Sequence, residues 1–373
     1  MYSQQELDDA VAAGAISADA ADAFRNYVAG QRVAAIPDEE QFRLITGFND
    51  IFVSIAAAIL LFAVGWIGQW IGQQSGLFVS DDGNTGPSFI APLAVAATSW
   101  ALALFFTARR RMALPSILLL LAFVVGMFAA TGLAVALAIG PDQFNNNNLL
   151  TGIVVAASGA VAAAAAWFHW RRFRVPITVA GGAAALAAIP VGIVMGMLGP
   201  QDPRTNQVIL SLVLVLGVGM FLFAMWWDSS DRARLTRRSD VAFWLHLLAA
   251  PMIVHPVFTL LGLNDGNATV GEGLVVVALY VALGLTALAI DRRALLVSAL
   301  AYVLFALQEM FREFGAVELN IALTALVIGS SLLLLSAFWH QARAAVVKPL
   351  PNGLRERLPI LDRRAVAVSQ PAA

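Results

Sequence analysis

The chain is a succession of long apolar runs separated by short polar connections. Runs of about 20 apolar residues recur over 48–71, 88–108, 113–138, 148–169, 174–198, 207–227, 240–262, 272–290, 293–311 and 317–340, each long enough for a helix to cross a bilayer core about 30 Å thick. The runs do not alternate between polar and apolar positions; Ile117-Leu118-Leu119-Leu120-Leu121 is typical. That excludes the strands of a membrane β-barrel. Helices then satisfy the backbone within lipid. The pattern predicts an all-α integral membrane protein, a bundle of ten transmembrane helices over 48–340. Before it stands a small soluble segment, 1–47, and after it a basic, Pro-containing tail, 341–373. The first run starts too deep in the chain for a cleaved signal peptide and reads as an uncleaved insertion signal.

Charge sharpens this count. Arginine-rich and arginine-free connections alternate along the chain. One set holds Arg25, Arg32 and Arg43, then Arg109 to Arg111, then Arg171, Arg172 and Arg174. It continues with Arg232, Arg234, Arg237 and Arg238, with Arg292 and Arg293, and with the tail from Arg343 through Lys348 to Arg364. Of the 23 Lys and Arg residues this leaves Arg204 and Arg312 for the other set. The positive-inside rule puts the rich set, and both termini, in the cytoplasm and requires an even number of spans. The expected location is a bacterial inner membrane. Trp66 and Trp70 at one level, and Trp167, Trp170, Trp226, Trp227, Trp244 and Trp339 at the other, fit aromatic belts at the two interfaces.

Composition removes whole classes of function. Charged residues are 13% and hydrophobic residues 60%, far from an ordinary soluble domain. Net charge is −1, so no bulk field selects nucleic acid. There is no Cys, which excludes thiolate metal sites and Cys nucleophiles. No phosphate loop, dinucleotide fingerprint, His-Glu-x-x-His motif or Ser-His-Asp order is visible. The sequence therefore implies no catalytic residues, no metal and no cofactor, and its first partner is the lipid bilayer.

In the soluble segment, Ser3 with Glu6 fits a capping box, Gly14 a helix stop and Ser17 a second cap. Leu7, Val11, Ile16, Phe24 and Val28 form an apolar seam between two short helices. Such a hairpin is a cap on the membrane face, or a docking element for a protein partner through residues 1–47. The stretch Leu7 to Tyr27, with Gly14-Ala15-Ile16-Ser17 at its bend, resembles the N-terminal hairpin of DUF2157-type bacterial membrane proteins. The resemblance implies a hairpin ahead of many membrane helices, and implies no chemistry.

Ionisable residues inside spans are costly and are functional candidates by default. The seventh span carries His246 and His255. Nine residues of helix turn through about 900°, which puts the two on opposite faces. Pro251 and Pro256 interrupt the same span. The ninth span carries Gln308, Glu309, Arg312 and Glu313; Glu309 and Arg312 share a face. His255 and Glu309 lie about 21–22 Å along their helices from the arginine-rich side, hence at similar depth. Asn320, at the start of the tenth span, joins that level. The sequence thus offers an outward-facing polar pocket of His255, Gln308, Glu309, Arg312 and Asn320. The competing reading makes Glu309 to Glu313 an ion-paired helix end and His255 a packing residue. Two functions follow. One is a secondary transporter or lipid or small-solute carrier with five-plus-five halves. The other is a non-transporting scaffold, assembly factor or sensor whose hairpin meets a partner. An enzyme is the less favoured class.

Overall fold

The structure is a computed structural model. It describes residues 7, 10–24, 48–81, 84–140, 147–199, 202–232, 234, 236–262, 270–293, 295–297, 300, 303–304, 307 and 320–361. The chain divides into a small unit, 1–42 with 360–373, and a main unit, 43–359.

In the small unit, helical turns over 10–12 and 18–24 flank a bend. Gly14 takes φ 71°, and Ala15 N–H donates to the Ala10 carbonyl, a left-handed helix stop. Ser17 Oγ accepts from Ala20 N–H at 3.1 Å. Leu7 and Ala21 are buried, whereas Phe24 is exposed and outside the expected seam. The Ser3–Glu6 box and Val28 lie outside the described residues.

The main unit is built of long apolar helices: α1 (Phe48–Gln74), α2 (Ile90–Phe106), α3 (Ala113–Ile139), α4 (Asn148–Phe173), α5 (Ile177–Leu198), α6 (Pro203–Ser229), α7 (Arg237–Leu260), α8 (Val270–Ile290) and α9 (Asn320–Ala337), followed by the short α10 (Trp339–Val347) and α11 (Asn352–Arg355). A two-residue hairpin, β1 (Ser80–Asp81) with β2 (Asn84–Thr85), closes the α1–α2 connection. Gln69 on α1 pins that loop, donating to the Gly86 carbonyl and accepting from Ser88 N–H, both at 2.9 Å.

Seven described helices are long and apolar enough to cross a membrane, and eight if the bent α9–α10 pair is one span. The architecture is that of a multi-pass membrane protein. Of the ten expected spans, 88–108 is a helix of 17 residues, and 293–311 lies partly outside the described residues. The last span ends early: the chain turns by 76° at Phe338.

Side-chain placement is that of a bundle in lipid. On α1, Phe48, Phe52, Ile55, Ile59, Phe62, Trp66 and Trp70 form one exposed face, while Asp50, Ser54, Ala57, Gly68 and Gly72 turn inward. Large apolar groups meet lipid and small groups meet helices, because lipid is as apolar as leucine. Close approach is literal at α4–α5. A Cβ on Gly152 would meet the backbone of Gly192 and Gly196, and one on Gly192 would meet Ala156. The helix pairs joined by arginine-rich turns, α2–α3, α4–α5 and α6–α7, pack intimately. In the second half, Val254 and Phe258 of α7, Val276 of α8, Ile328 of α9, and Val303 and Leu307 from the stretch between α8 and α9 make one apolar core.

Candidate functional site: a buried charge cluster at the arginine-rich end

Asp228 closes the last turn of α6, directly after Trp226 and Trp227. Its side chain is fully buried, and Arg292, in the turn after α8, is 3% exposed. Arg292 grips the carboxylate with two bonds: Nη2 to Oδ1 at 2.5 Å and Nε to Oδ2 at 3.2 Å. His246, two and a half turns into α7, places Nε2 3.1 Å from the same Oδ2. A carboxylate held by a guanidinium only accepts, so Nε2 carries the proton. Nδ1 has no hydrogen-bond partner among the described residues and lies among apolar groups, with the Phe221 ring edge-on at 5.3 Å. Arg292 also donates to the Ser239 carbonyl at 2.9 Å and lies over the Phe243 ring. One carboxylate thus fastens α6, α7 and the α8 turn together.

The neighbouring residue builds a second node. Asp291 has φ 57°, a left-handed conformation that an Asp adopts at some cost and that sends its side chain away from Arg292. Its Oδ2 accepts from Arg234 Nη1 at 3.1 Å, and its Oδ1 from the Trp339 indole at 2.8 Å, with Arg343 Nε at 3.7 Å. Arg234 Nη2 further donates to the Ile290 and Asp291 carbonyls. Arg343 reaches on to the Pro359 carbonyl at 2.7 Å, and Arg232 to those of Leu358 and Arg355. The 76° bend at Phe338 is what carries Trp339 and Arg343 inward to this node. Trp339 is therefore 3% exposed, a hydrogen-bonded core residue and not a belt residue.

These bonds are expensive to hold. Each ion loses several kcal/mol of hydration on burial, repaid only when geometry and additional hydrogen bonds are good. Here both Asp228 oxygens are bonded. Replacing such a pair by apolar residues is often neutral or stabilising, so cohesion alone does not explain its presence.

A second polar feature sits between α2, α3, α4 and α5. His169, 1% exposed, contacts Thr178 Oγ1 at 3.2 Å through Nδ1. Trp100, Phe123 and Phe173 enclose its ring, at 6.1, 6.0 and 4.6 Å between centroids. It is an interior residue, although Trp167 and Trp170 on either side of it fit the interfacial belt by sequence.

Most of the expected outward pocket lies outside the described residues. Gln308, Glu309 and Arg312 lie outside the described residues, and Asn320 begins α9. His255 is exposed on α7, on the face opposite the buried His246, as the helical arithmetic requires. One turn on from Asn320, Thr324 is buried, and its hydroxyl has no hydrogen-bond partner among the described residues; the same is true of the Tyr280 hydroxyl on α8. Directly after His255, Pro256 removes the amide that would bond the Met252 carbonyl. At that carbonyl α6 comes closest: a Cβ on Gly217 would stand 2.8 Å from the Met252 backbone. Among the described residues no group of three or more His, Asp or Glu is placed to hold a metal.

Sequence reasoning missed the Asp228 cluster because it assigned Arg234 and Arg292 to topology and ended the sixth span at residue 227, one short of Asp228. A signal was present. Acidic residues interleave with arginine in the second-half connections, as Asp228, Asp231, Asp240 and Asp291, and are absent from residues 105–116 and 167–178. No family model, no curated protein and no solved structure matches this chain.

Proposed function

We propose that the chain is a secondary carrier for a small solute or lipid, in a form whose arginine-rich side is closed by the Asp228 and Asp291 nodes. The observation that supports this most is the buried Asp228–His246–Arg292 contact joining three separate elements. Ion pairs at helix interfaces re-pair in discrete steps, which suits a gate better than a permanent seam. On the positive-inside reading this gate is cytoplasmic, with both termini on that side and ten spans in a bacterial inner membrane. The opposite, outward side then holds the pocket of His255, Gln308, Glu309, Arg312 and Asn320. The proline-interrupted α7 links the two levels, carrying His246 at one and His255 at the other. The likeness of the N-terminal hairpin to DUF2157-type proteins belongs to the same proposal.

The test is transport by the full chain in proteoliposomes, with fluorescent phospholipids and a panel of small organic ions as probes. The carrier reading expects at least one probe to move, Glu309→Gln to slow it, and Arg292→Gln to convert coupled movement into leak. No movement of any probe, or movement indifferent to both substitutions, overturns it.

A second reading is a non-transporting scaffold. It is favoured by the strapping of the segment 355–359 onto Arg232 and Arg343, which fixes this face as a platform. A scaffold loses a co-purifying protein on deletion of residues 1–36, and a carrier does not lose flux.

A further inference from the structure

The charges of the arginine-rich end are unevenly matched. In the second half Asp228 and Asp291 hold Arg292, Arg234 and Arg343. In the first half the turns α2–α3 and α4–α5 carry Arg109, Arg110, Arg111, Arg171, Arg172 and Arg174, all exposed. Residues 105–116 and 167–178 contain no acidic residue, and none of the ion pairs seen among the described residues involves any of the six. The two turns are neighbours, since Phe106 and Phe173 pack against the same buried cluster of Ala103 and Leu119.

Four of the six guanidiniums are laid on aromatic rings. Arg110 lies over Phe105 at 5.5 Å, Arg171 over Trp167 at 5.0 Å, Arg172 over Phe173 at 5.5 Å and Arg174 over Trp170 at 5.8 Å. Phe105 and Trp167 are themselves exposed on the lipid side of the bundle. A guanidinium stacked by its face keeps its N–H edge free for a bidentate oxyanion.

The backbone adds an independent observation. Four described non-glycine residues take positive φ: Arg111, Arg174, Arg234 and Asp291. Glycine fills such helix-terminal positions without steric cost. For Arg234 and Asp291 the side chain repays the conformation through the second node. Arg111 and Arg174 occupy the same kind of position at the acid-free turns, with no carboxylate contact of that kind among the described residues.

We propose that these two turns form a binding surface for anionic phospholipid headgroups, the lipid phosphate seated between the Arg109–Arg111 and Arg171–Arg174 turns with its acyl chains along the exposed rings of Phe105 and Trp167. The occupant is a lipid because the stacked rings hold the guanidiniums at the level where bundle surface meets headgroup, the interface favoured by indole.

The test is native mass spectrometry of the full chain released from detergent and titrated with phosphatidylglycerol or phosphatidylcholine. The wild type retains phosphatidylglycerol selectively, and inorganic phosphate does not displace it. The triple variants R109Q/R110Q/R111Q and R171Q/R172Q/R174Q each lower that retention by at least tenfold, on the basis of about fivefold per arginine. The corresponding lysine triples keep the charge and the insertion signal, and retain the lipid preference. Equal retention of the two lipids by the wild type, displacement by inorganic phosphate, or a loss in the lysine triples as full as in the glutamine triples overturns the proposal.

Discussion

Asp228→Asn is the sharpest perturbation of the closed end. The substitution keeps shape and removes one charge at a fully buried site. Three contacts reach that carboxylate: two from Arg292 and one from His246. The amide retains one acceptor oxygen and presents an NH2 where an acceptor stood, so at least one donor is left facing a donor. The larger cost is Arg292, 3% exposed and now without the carboxylate that both of its nitrogens bond. Breaking one partner of a buried pair costs about 3–5 kcal/mol, against total stabilities of about 5–15 kcal/mol. The double substitution Asp228→Leu with Arg292→Met removes both charges and is expected to cost about 1 kcal/mol or less. The assay is SDS titration of the purified protein in mixed micelles, followed by the fluorescence of its 9 Trp residues, as a double-mutant cycle. The single effect is insensitive to salt, since the pair is dry. A cost below about 1 kcal/mol for Asp228→Asn, or a double variant worse than either single, refutes the reasoning.

Further outcomes follow from the same geometry. Gly217→Ala drives a methyl into the Met252 backbone and should cost about 1–3 kcal/mol in the same titration, with Gly152→Ala behaving alike. Trp339→Phe keeps the ring under Arg293 and removes the indole bond to Asp291, a loss of about 1–3 kcal/mol; an unchanged midpoint would dismiss that bond. Asn147→Ala removes the side-chain acceptor of Leu150 N–H at the start of α4, for about 1 kcal/mol, read as faster amide exchange over 148–151. At the start of α6, the hydrogen bonds from Arg204 hold the Asp202 carboxyl below its usual range. A lowered folded-state pKa gives stability that is present above the unfolded value near pH 4 and lost as pH falls through the folded one. The protection factor of the Arg204 amide, which corrects exchange for its intrinsic pH dependence, should therefore fall in acid, and Asp202→Asn should abolish that fall.

The apolar runs made most helices legible, because each had to satisfy its own backbone in lipid. Helix ends were less legible. The break at Phe338 has no Pro or Gly to announce it, and its evident beneficiaries are distant: Trp339 and Arg343 reach Asp291. The faces of α7 were legible from spacing, with His246 inward and His255 exposed. The partner of His246 was not. Asp228 and Arg292 are 64 residues apart, and charge counting treats both as surface. Gly192 and Gly196, four residues apart in the sequence, pack against Gly152, and their spacing alone does not say which helix arrives.

The absence of Cys makes the native chain a ready background for site-directed labelling. Ala249 is fully buried on α7, one turn beyond His246. With Ala249→Cys, a membrane-impermeant maleimide applied from the arginine-rich side should leave the otherwise native protein unmodified. With Arg292→Gln added, labelling should appear from that side alone, while Ile153→Cys on the lipid face stays unreactive in both. If Ala249→Cys remains equally protected when Arg292 is gone and the protein is still folded, the Asp228 cluster is a fixed staple and not a gate.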